Sequence, residues 1–393
     1  MFHFAVIILG LFNLQTALSD PSDVGLSPIQ MIENHGYVGE THQIITDDGY
    51  ILTYYRIPHG INDDGTTQKP AALLVHGVTA SSADFVAMGP DRSLAYILAD
   101  AGYDVWLANT RGTAFSRNHT TLDPDVDTEE FYNFSWHETG YYDLPKAIDY
   151  ILELKGDDSL HYVGHSQGTT AFFVLASTRP EYNQKIKLAS LMAGAAIVKH
   201  YPNILIQELC KYIDRVALLL NRYKIYEYPL VKEMRDFVST TCADPSSNEI
   251  CDYIYNMKFS GDGFRVEEEF LPVIYTNNPS NTGMKQYVHF AQQVRDGGFR
   301  YFDYGTEANL ELYGSESPPD YDLSKISAPV AFYYAINDGL ITVEDEQKLM
   351  SMVPNVVHDY LISYDLFKHG DFLYANDVVE LVYKELINVM MTY

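Results

Sequence analysis

The stretch Leu160-His161-Tyr162-Val163-Gly164-His165-Ser166-Gln167-Gly168-Thr169-Thr170-Ala171-Phe172-Phe173-Val174-Leu175-Ala176 decides the fold. It reads as a short apolar strand, a G-x-S-x-G turn and an apolar helix. In that setting the turn is a nucleophile elbow. The flanking glycines let the chain reverse sharply, the serine is held in a strained backbone conformation, and its Oγ is lifted off the sheet. The N–H of Gln167, at the first helical position, then points at an incoming carbonyl. The pentapeptide alone would suit any glycine-rich turn with a spectator serine; the strand before it and the helix after it argue for the elbow.

Outward from this point, strands and helices alternate. Ile51–Tyr55, Ala71–Val75, Asp104–Ala108, Leu160–Val163 and Ala189–Ala193 read as strands, with helices over Ser93–Ala101 and Asp143–Leu154. Strands that are apolar throughout and separated by helices argue for a parallel sheet covered on both faces. The alternation stops after about Val198. From His200 to about Tyr304 the chain reads as mostly helical and rich in bulky residues such as Leu218, Leu219, Tyr223, Phe237, Tyr253 and Phe270. This is an insertion over the sheet. Alternation resumes with strands at Pro329–Tyr334 and Val356–Ile362 and helices at Val343–Met352 and Asp377–Met390.

The chain has 393 residues, 47% of them hydrophobic, enough for one large domain with an insertion. Its 53 acidic and 26 basic residues give a net charge of −27, which excludes nucleic-acid or anionic-membrane binding through bulk charge. Phe2–Leu18 is apolar and nearly uncharged, and Ala17-Leu18-Ser19 offers small residues for cleavage before Asp20. Residues 1–19 therefore read as a secretory signal, and no later stretch is long and apolar enough to span a bilayer. The acceptor triplets Asn118-His119-Thr120 and Asn133-Phe134-Ser135 suit N-glycosylation of a secreted chain. Cys242 and Cys251 enclose a short polar turn that a local disulfide could close in an oxidising compartment, leaving Cys210 as a buried thiol.

A serine hydroxyl needs an imidazole to take its proton and a carboxylate to orient that imidazole. With the nucleophile on an elbow, the acid and then the histidine are expected on later strand-end loops. Asp338 follows the strand Val330–Tyr334 directly. Asp345 competes, but it lies in the first turn of the next helix, where a carboxylate serves the helix dipole. Of the two histidines beyond Asp338, His358 stands near the beginning of the last strand and His369 beyond its end. Ser166, Asp338 and His369 are therefore the candidate triad. The oxyanion donors are the N–H of Gln167 and, from the loop after Val75, the N–H of Val78, with Gly77 allowing close approach. No metal or phosphate motif occurs, so no metal and no cofactor are expected.

Together with Ile32-Glu33-Asn34-His35-Gly36-Tyr37, Asn109-Thr110-Arg111-Gly112-Thr113, Phe134-Ser135-Trp136-His137-Glu138, Asn337-Asp338 and His369-Gly370-Asp371-Phe372, these motifs make nearly the whole mature chain resemble the acid lipase family of animals, the group containing gastric lipase and lysosomal acid lipase. The resemblance implies an α/β-hydrolase fold: a mostly parallel central sheet with helices on both faces and a mostly helical cap carrying a lid. Residues 20–198 and 321–393 would form the two parts of the core and 199–320 the cap. It also implies Ser166, Asp338 and His369 as triad, Val78 and Gln167 as oxyanion donors, and Cys242–Cys251 as the disulfide. The implied activity is serine-lipase hydrolysis of neutral lipids, triacylglycerols or steryl esters, at an emulsion or droplet surface, by an extracellular or lysosomal protein. A hydrolase of small soluble esters and a lipid carrier on the same scaffold are the competing readings. The chain departs from the family pattern at Val78-Thr79-Ala80, where a leucine followed by other apolar or small residues is usual, at Phe85, where a tryptophan is common, and at Ala335-Ile336, which replaces a glycine pair.

Overall fold

The computed structural model describes residues 23–228 and 265–393. Eight strands form one sheet in the order β1-β2-β4-β3-β5-β6-β7-β8. They are β1 (Glu40–Ile45), β2 (Ile51–Ile57), β3 (Ala71–Val75), β4 (Asp104–Leu107), β5 (Leu160–His165), β6 (Ile186–Met192), β7 (Val330–Tyr334) and β8 (Val356–Leu361). From β4 to β8 every neighbouring pair is parallel, while β1–β2 and β2–β4 are antiparallel. This is the α/β-hydrolase sheet, with its mostly parallel strands between two helical layers.

The strand sequences follow from this burial. All five residues of β3 are buried, with Ala72 and Leu74 packed into one core layer and Ala71, Leu73 and Val75 into the other. A strand covered on both faces needs apolar side chains at every position. At the far edge, β8 alternates partly buried and exposed residues, as a strand covered on one face does. The strand β1, with no counterpart among the expected ones, is the opposite edge. Its Glu40-Thr41-His42-Gln43 is too polar to stand out from a loop, and it is ordered by pairing with β2 through the turn at Gly49.

Helices at Leu94–Asp100, Leu144–Lys155, Gln167–Thr178 and Val343–Met350 lie where strand-helix alternation places them. The closing segment differs in form. Val379–Tyr383 is a π-helical turn leading into the helix Lys384–Met390. Between β6 and β7 the described chain is helical, with helices at Ile204–Cys210, Ile213–Arg222, Leu271–Asn277 and Met284–Asp296. Cys210 is buried with a free thiol. The expected signal segment and the Cys242–Cys251 pair lie outside the described residues. Among the described residues no helix is long and apolar enough to cross a membrane.

One core histidine has a measurable consequence. His161 on β5 is 2% exposed, its ring stands edge-on to Tyr103, and burial pushes its pKa down to about 4. Below pH 6.5 the unfolded chain protonates this ring and the folded chain does not. Its contribution to stability is therefore present above about pH 6.5 and falls by about 1.4 kcal/mol per pH unit toward pH 4. His161→Leu is expected to shrink the stability difference between pH 7 and pH 4.5 by about 2 kcal/mol, read from urea unfolding at both pH values. An undiminished difference would show that the native ring is already protonated at the lower pH.

Candidate active site

All the candidate groups sit at the C-terminal ends of parallel strands, where open α/β sheets place their sites. His76-Gly77-Val78 follows β3, Ser166 follows β5, Asp338 follows β7, and His369 follows β8. Ser166, Asp338 and His369 are each less than a tenth exposed.

The elbow is a steric construction. Ser166 has φ 53° and ψ −118°, a left-handed conformation that L residues avoid at a cost of about 1–3 kcal/mol. It is over-determined by its neighbours. Ser166 N–H donates to Met192 O at 3.0 Å, and Ser166 O accepts from Thr169 N at 2.8 Å and from Thr169 Oγ1 at 2.6 Å. Thr169 Oγ1 in turn accepts from Ala195 N at 2.8 Å, and Tyr162 OH donates to Gly168 O at 2.6 Å. Both motif glycines are required by backbone contact. A Cβ on Gly164 would lie 2.9 Å from the Gly168 carbonyl carbon, and one on Gly168 would lie 2.2 Å from Val75 O. Since the second clash is with backbone on both sides, Gly168→Ala is expected to cost about 3 kcal/mol or more and to displace the serine. A melting curve and residual activity check this; unchanged values would show that the β3–helix spacing is soft.

Asp338 and His369 meet as the strand order requires. His369 Nδ1 lies 2.8 Å from Asp338 Oδ2, and Asp338 Oδ1 accepts from the backbone N–H of Leu340 at 2.8 Å and Ile341 at 3.0 Å. With a carboxylate on Nδ1, the network assigns the proton there and leaves Nε2 as the basic nitrogen. Asn337 Nδ2 donates to Leu366 O at 3.2 Å and ties the two loops together. The competing acid Asp345 is buried elsewhere, accepting from His200 N and facing His200 Nδ1, each at 2.8 Å. His358 lies on β8 with its Nε2 3.2 Å from Glu385. Among the described residues no hydrogen bond links Ser166 Oγ to His369; such bonds are commonly long in unliganded sites and tighten with substrate.

The β3 loop reaches the serine. A Cβ on Gly77 would lie 3.2 Å from Ser166 Cβ and 3.6 Å from its Oγ, so a larger residue here would crowd the serine. Gln167 begins the helix Gln167–Thr178, where the first N–H groups have no partner within the helix. The glycine loop after β3 and the first turn of this helix therefore both border Ser166, where a carbonyl oxygen beside the serine would lie near free backbone N–H groups.

Two histidines with no role assigned from sequence complete the frame. His165 Nε2 lies 3.1 Å from His369 O and bonds the base loop to the elbow. Burial, with His369 beside it, holds its pKa down to about 3, so it stays neutral. His76 faces Gly77 O through Nδ1 at 2.8 Å and accepts from Thr110 N at Nε2 at 3.2 Å. Burial lowers its pKa to about 4. Both occupy motif positions that pattern leaves open, so only contact identifies what they do.

Comparison with known proteins places the chain among lipases of the alpha/beta hydrolase fold. Residues 28–89 match the family model of the partial alpha/beta-hydrolase lipase region, and residues 70–214 that of the alpha/beta hydrolase fold. Lipase 3 of Drosophila melanogaster is 38% identical over 393 residues, covering 99% of this chain and 98% of its own. Gastric triacylglycerol lipase of Rattus norvegicus is 36% identical over 370 residues, 92% of this chain and 90% of its own. Lipase member K of Homo sapiens is 35% identical over 370 residues, 93% of this chain and 90% of its own. Among solved structures, an alpha/beta hydrolase fold protein from Chitinophaga pinensis superposes with a TM-score of 0.52 at 12% identity, over 91% of this chain and 99% of its own.

Proposed function

From a chain that belongs to the animal acid lipase family, and is thereby a carboxylic ester hydrolase, we propose a serine lipase that cleaves the esters of neutral lipids, triacylglycerols first and steryl esters second, through an acyl-enzyme. The observation that carries the reading is the Asp338–His369 pair set on the strand ends beside an elbow serine at positive φ. His369 Nε2 takes the Ser166 proton as Oγ attacks the ester carbonyl. The oxyanion of the tetrahedral intermediate is received by the N–H groups of Val78 and Gln167. His369 then protonates the leaving alkoxide, and the acyl-enzyme is hydrolysed by a water that gives its proton to the same nitrogen.

A lipid substrate is supported by the helices between β6 and β7. Among the described residues, Ile204, Leu205, Leu209, Leu218, Leu219 and Tyr223 are all more than half exposed on Ile204–Cys210, Ile213–Arg222 and the residue after them. An exposed apolar surface of this kind is stable against a lipid interface and costly in water. This segment belongs to the cap, residues 199–320, over a core of residues 20–198 and 321–393, and part of the cap moves at the interface. The destination is extracellular or the lysosomal lumen. Asn118 and Asn133 are both exposed, as glycosylated asparagines must be.

Hydrolysis of emulsified long-chain triglyceride, a steryl ester and a short soluble ester, from about pH 4 to 8 to bracket the ordinary histidine pKa, tests the substrate class. The expected result is faster turnover of the emulsion than of the same ester below its solubility limit. Turnover of the soluble ester alone would make the protein a general esterase. Lipid binding without turnover would make it a carrier.

A further inference from the structure

A single segment, residues 280–287, touches both halves of the oxyanion site. Ser280 N–H donates to Thr79 O at 2.7 Å, and Tyr287 OH donates to Thr79 Oγ1 at 3.3 Å. Next to Tyr287 in the chain, Gln286 Oε1 accepts from Gln167 Nε2, while Gln286 Nε2 donates to Thr282 Oγ1 at 2.5 Å. Thr79 and Gln167 are the residues next to, and at, the two oxyanion donors.

Thr79 needs such support. It is a β-branched residue at φ 54°, a conformation that such side chains rarely adopt. Its Oγ1 donates to Val78 O at 2.7 Å, so the contact from Tyr287 bears on the Val78–Thr79 peptide. The preceding peptide is fixed from the other side, where His76 Nδ1 lies 2.8 Å from Gly77 O. In a trans peptide the C=O and the following N–H point in opposite directions, so holding Gly77 O turns Val78 N–H away from His76. The segment itself is anchored. Ser280 Oγ accepts from Ala114 N at 3.0 Å, and the Tyr287 ring stacks on Tyr228 with centroids 5.4 Å apart.

We infer that Gln286 and Tyr287 are positioning residues that set the separation of the Val78 and Gln167 N–H donors, a role that rests on the serine-lipase reading above. Neither touches substrate. Their effect is confined to the tetrahedral intermediate, because a misplaced oxyanion donor weakens an interaction made only there.

The test is steady-state hydrolysis of a short soluble ester by the full-length protein and by Tyr287→Phe, Gln286→Leu, Thr79→Val, the Thr79→Val/Tyr287→Phe double variant and Ser166→Ala. Inactivation rates with an alkylphosphonate, whose adduct carries a tetrahedral oxyanion, and melting temperatures accompany the kinetics. The expected result is a fall in kcat of about tenfold in each positioning variant with KM nearly unchanged, an equal fall in the phosphonate rate, and melting temperatures near that of the parent. The double variant is expected to be no worse than the poorer single, since Thr79→Val already removes the Oγ1 that Tyr287 contacts. Unchanged kcat, a loss appearing in KM, or multiplicative losses in the double variant would overturn the proposal while leaving the serine mechanism standing. Turnover surviving in Ser166→Ala would overturn the serine mechanism and this proposal with it.

Discussion

Ser166→Ala is expected to lower kcat by about 10⁶-fold, with KM for a soluble ester nearly unchanged. The substitution removes one oxygen from a residue that is 8% exposed, and alanine can take the place of serine without added bulk. Binding surfaces stay in place, and so do the oxyanion donors, which leaves a residual rate of about 10³–10⁴ over water. The measurement is kcat on purified protein with a melting curve alongside. A variant that melts like the parent and keeps more than about a hundredth of its activity would show that another group performs the attack, since loss of a triad nucleophile costs far more than that.

Asp338→Asn is expected to lower kcat by about 10⁴-fold with little change in fold. The carboxylate has two separate duties here. Oδ1 accepts the N–H groups of Leu340 and Ile341, which an amide oxygen can still do. Oδ2 faces His369 Nδ1, where the amide nitrogen would present a proton and force the ring into the other tautomer. Nε2 would then carry hydrogen and could not accept the serine proton. Asp345→Asn is the discriminating control. Its carboxylate holds His200, so it is expected to loosen the chain leaving β6 while kcat changes far less. The opposite ranking of the two variants in a pH 7 assay would transfer the acid's role to Asp345.

Much of the fold was legible because burial on both faces forces unbroken apolar runs. Ala71–Val75 could be bounded to the residue from composition alone and Pro329–Tyr334 to within one, since β7 begins at Val330, and both strands are buried at every position. The strand β1 was not legible, since Glu40, His42 and Gln43 serve an edge where pairing with β2 supplies the order that side-chain burial does not. The closing helix was placed correctly but not its π-helical turn, because the apolar spacing of Val379–Tyr383 fits either winding.

The candidate site divides along the same line. Chain order and strand ends were enough to choose Ser166, Asp338 and His369, because an elbow serine demands its acid and base on later loops in that sequence. The choice of Asp338 over Asp345 rested on a loop position against a helix position, and the contacts of the two carboxylates agree with it. His76, His165, Gln286 and Tyr287 could not be chosen in this way. Each has a partner 34 to 208 residues away that spacing does not reveal, such as Thr110 for His76 and Thr79 for Tyr287.

By itself the sequence determined the elbow, the parallel sheet and which groups are the candidates to react. Each of these is a local pattern: a glycine spacing, an apolar run, or a residue type at a strand end. Only the tertiary structure decided what holds those groups in register. A hydrogen bond from Tyr287 to Thr79, or from His165 to the carbonyl of His369, follows from distance and direction in space, and neither is encoded in spacing along the chain.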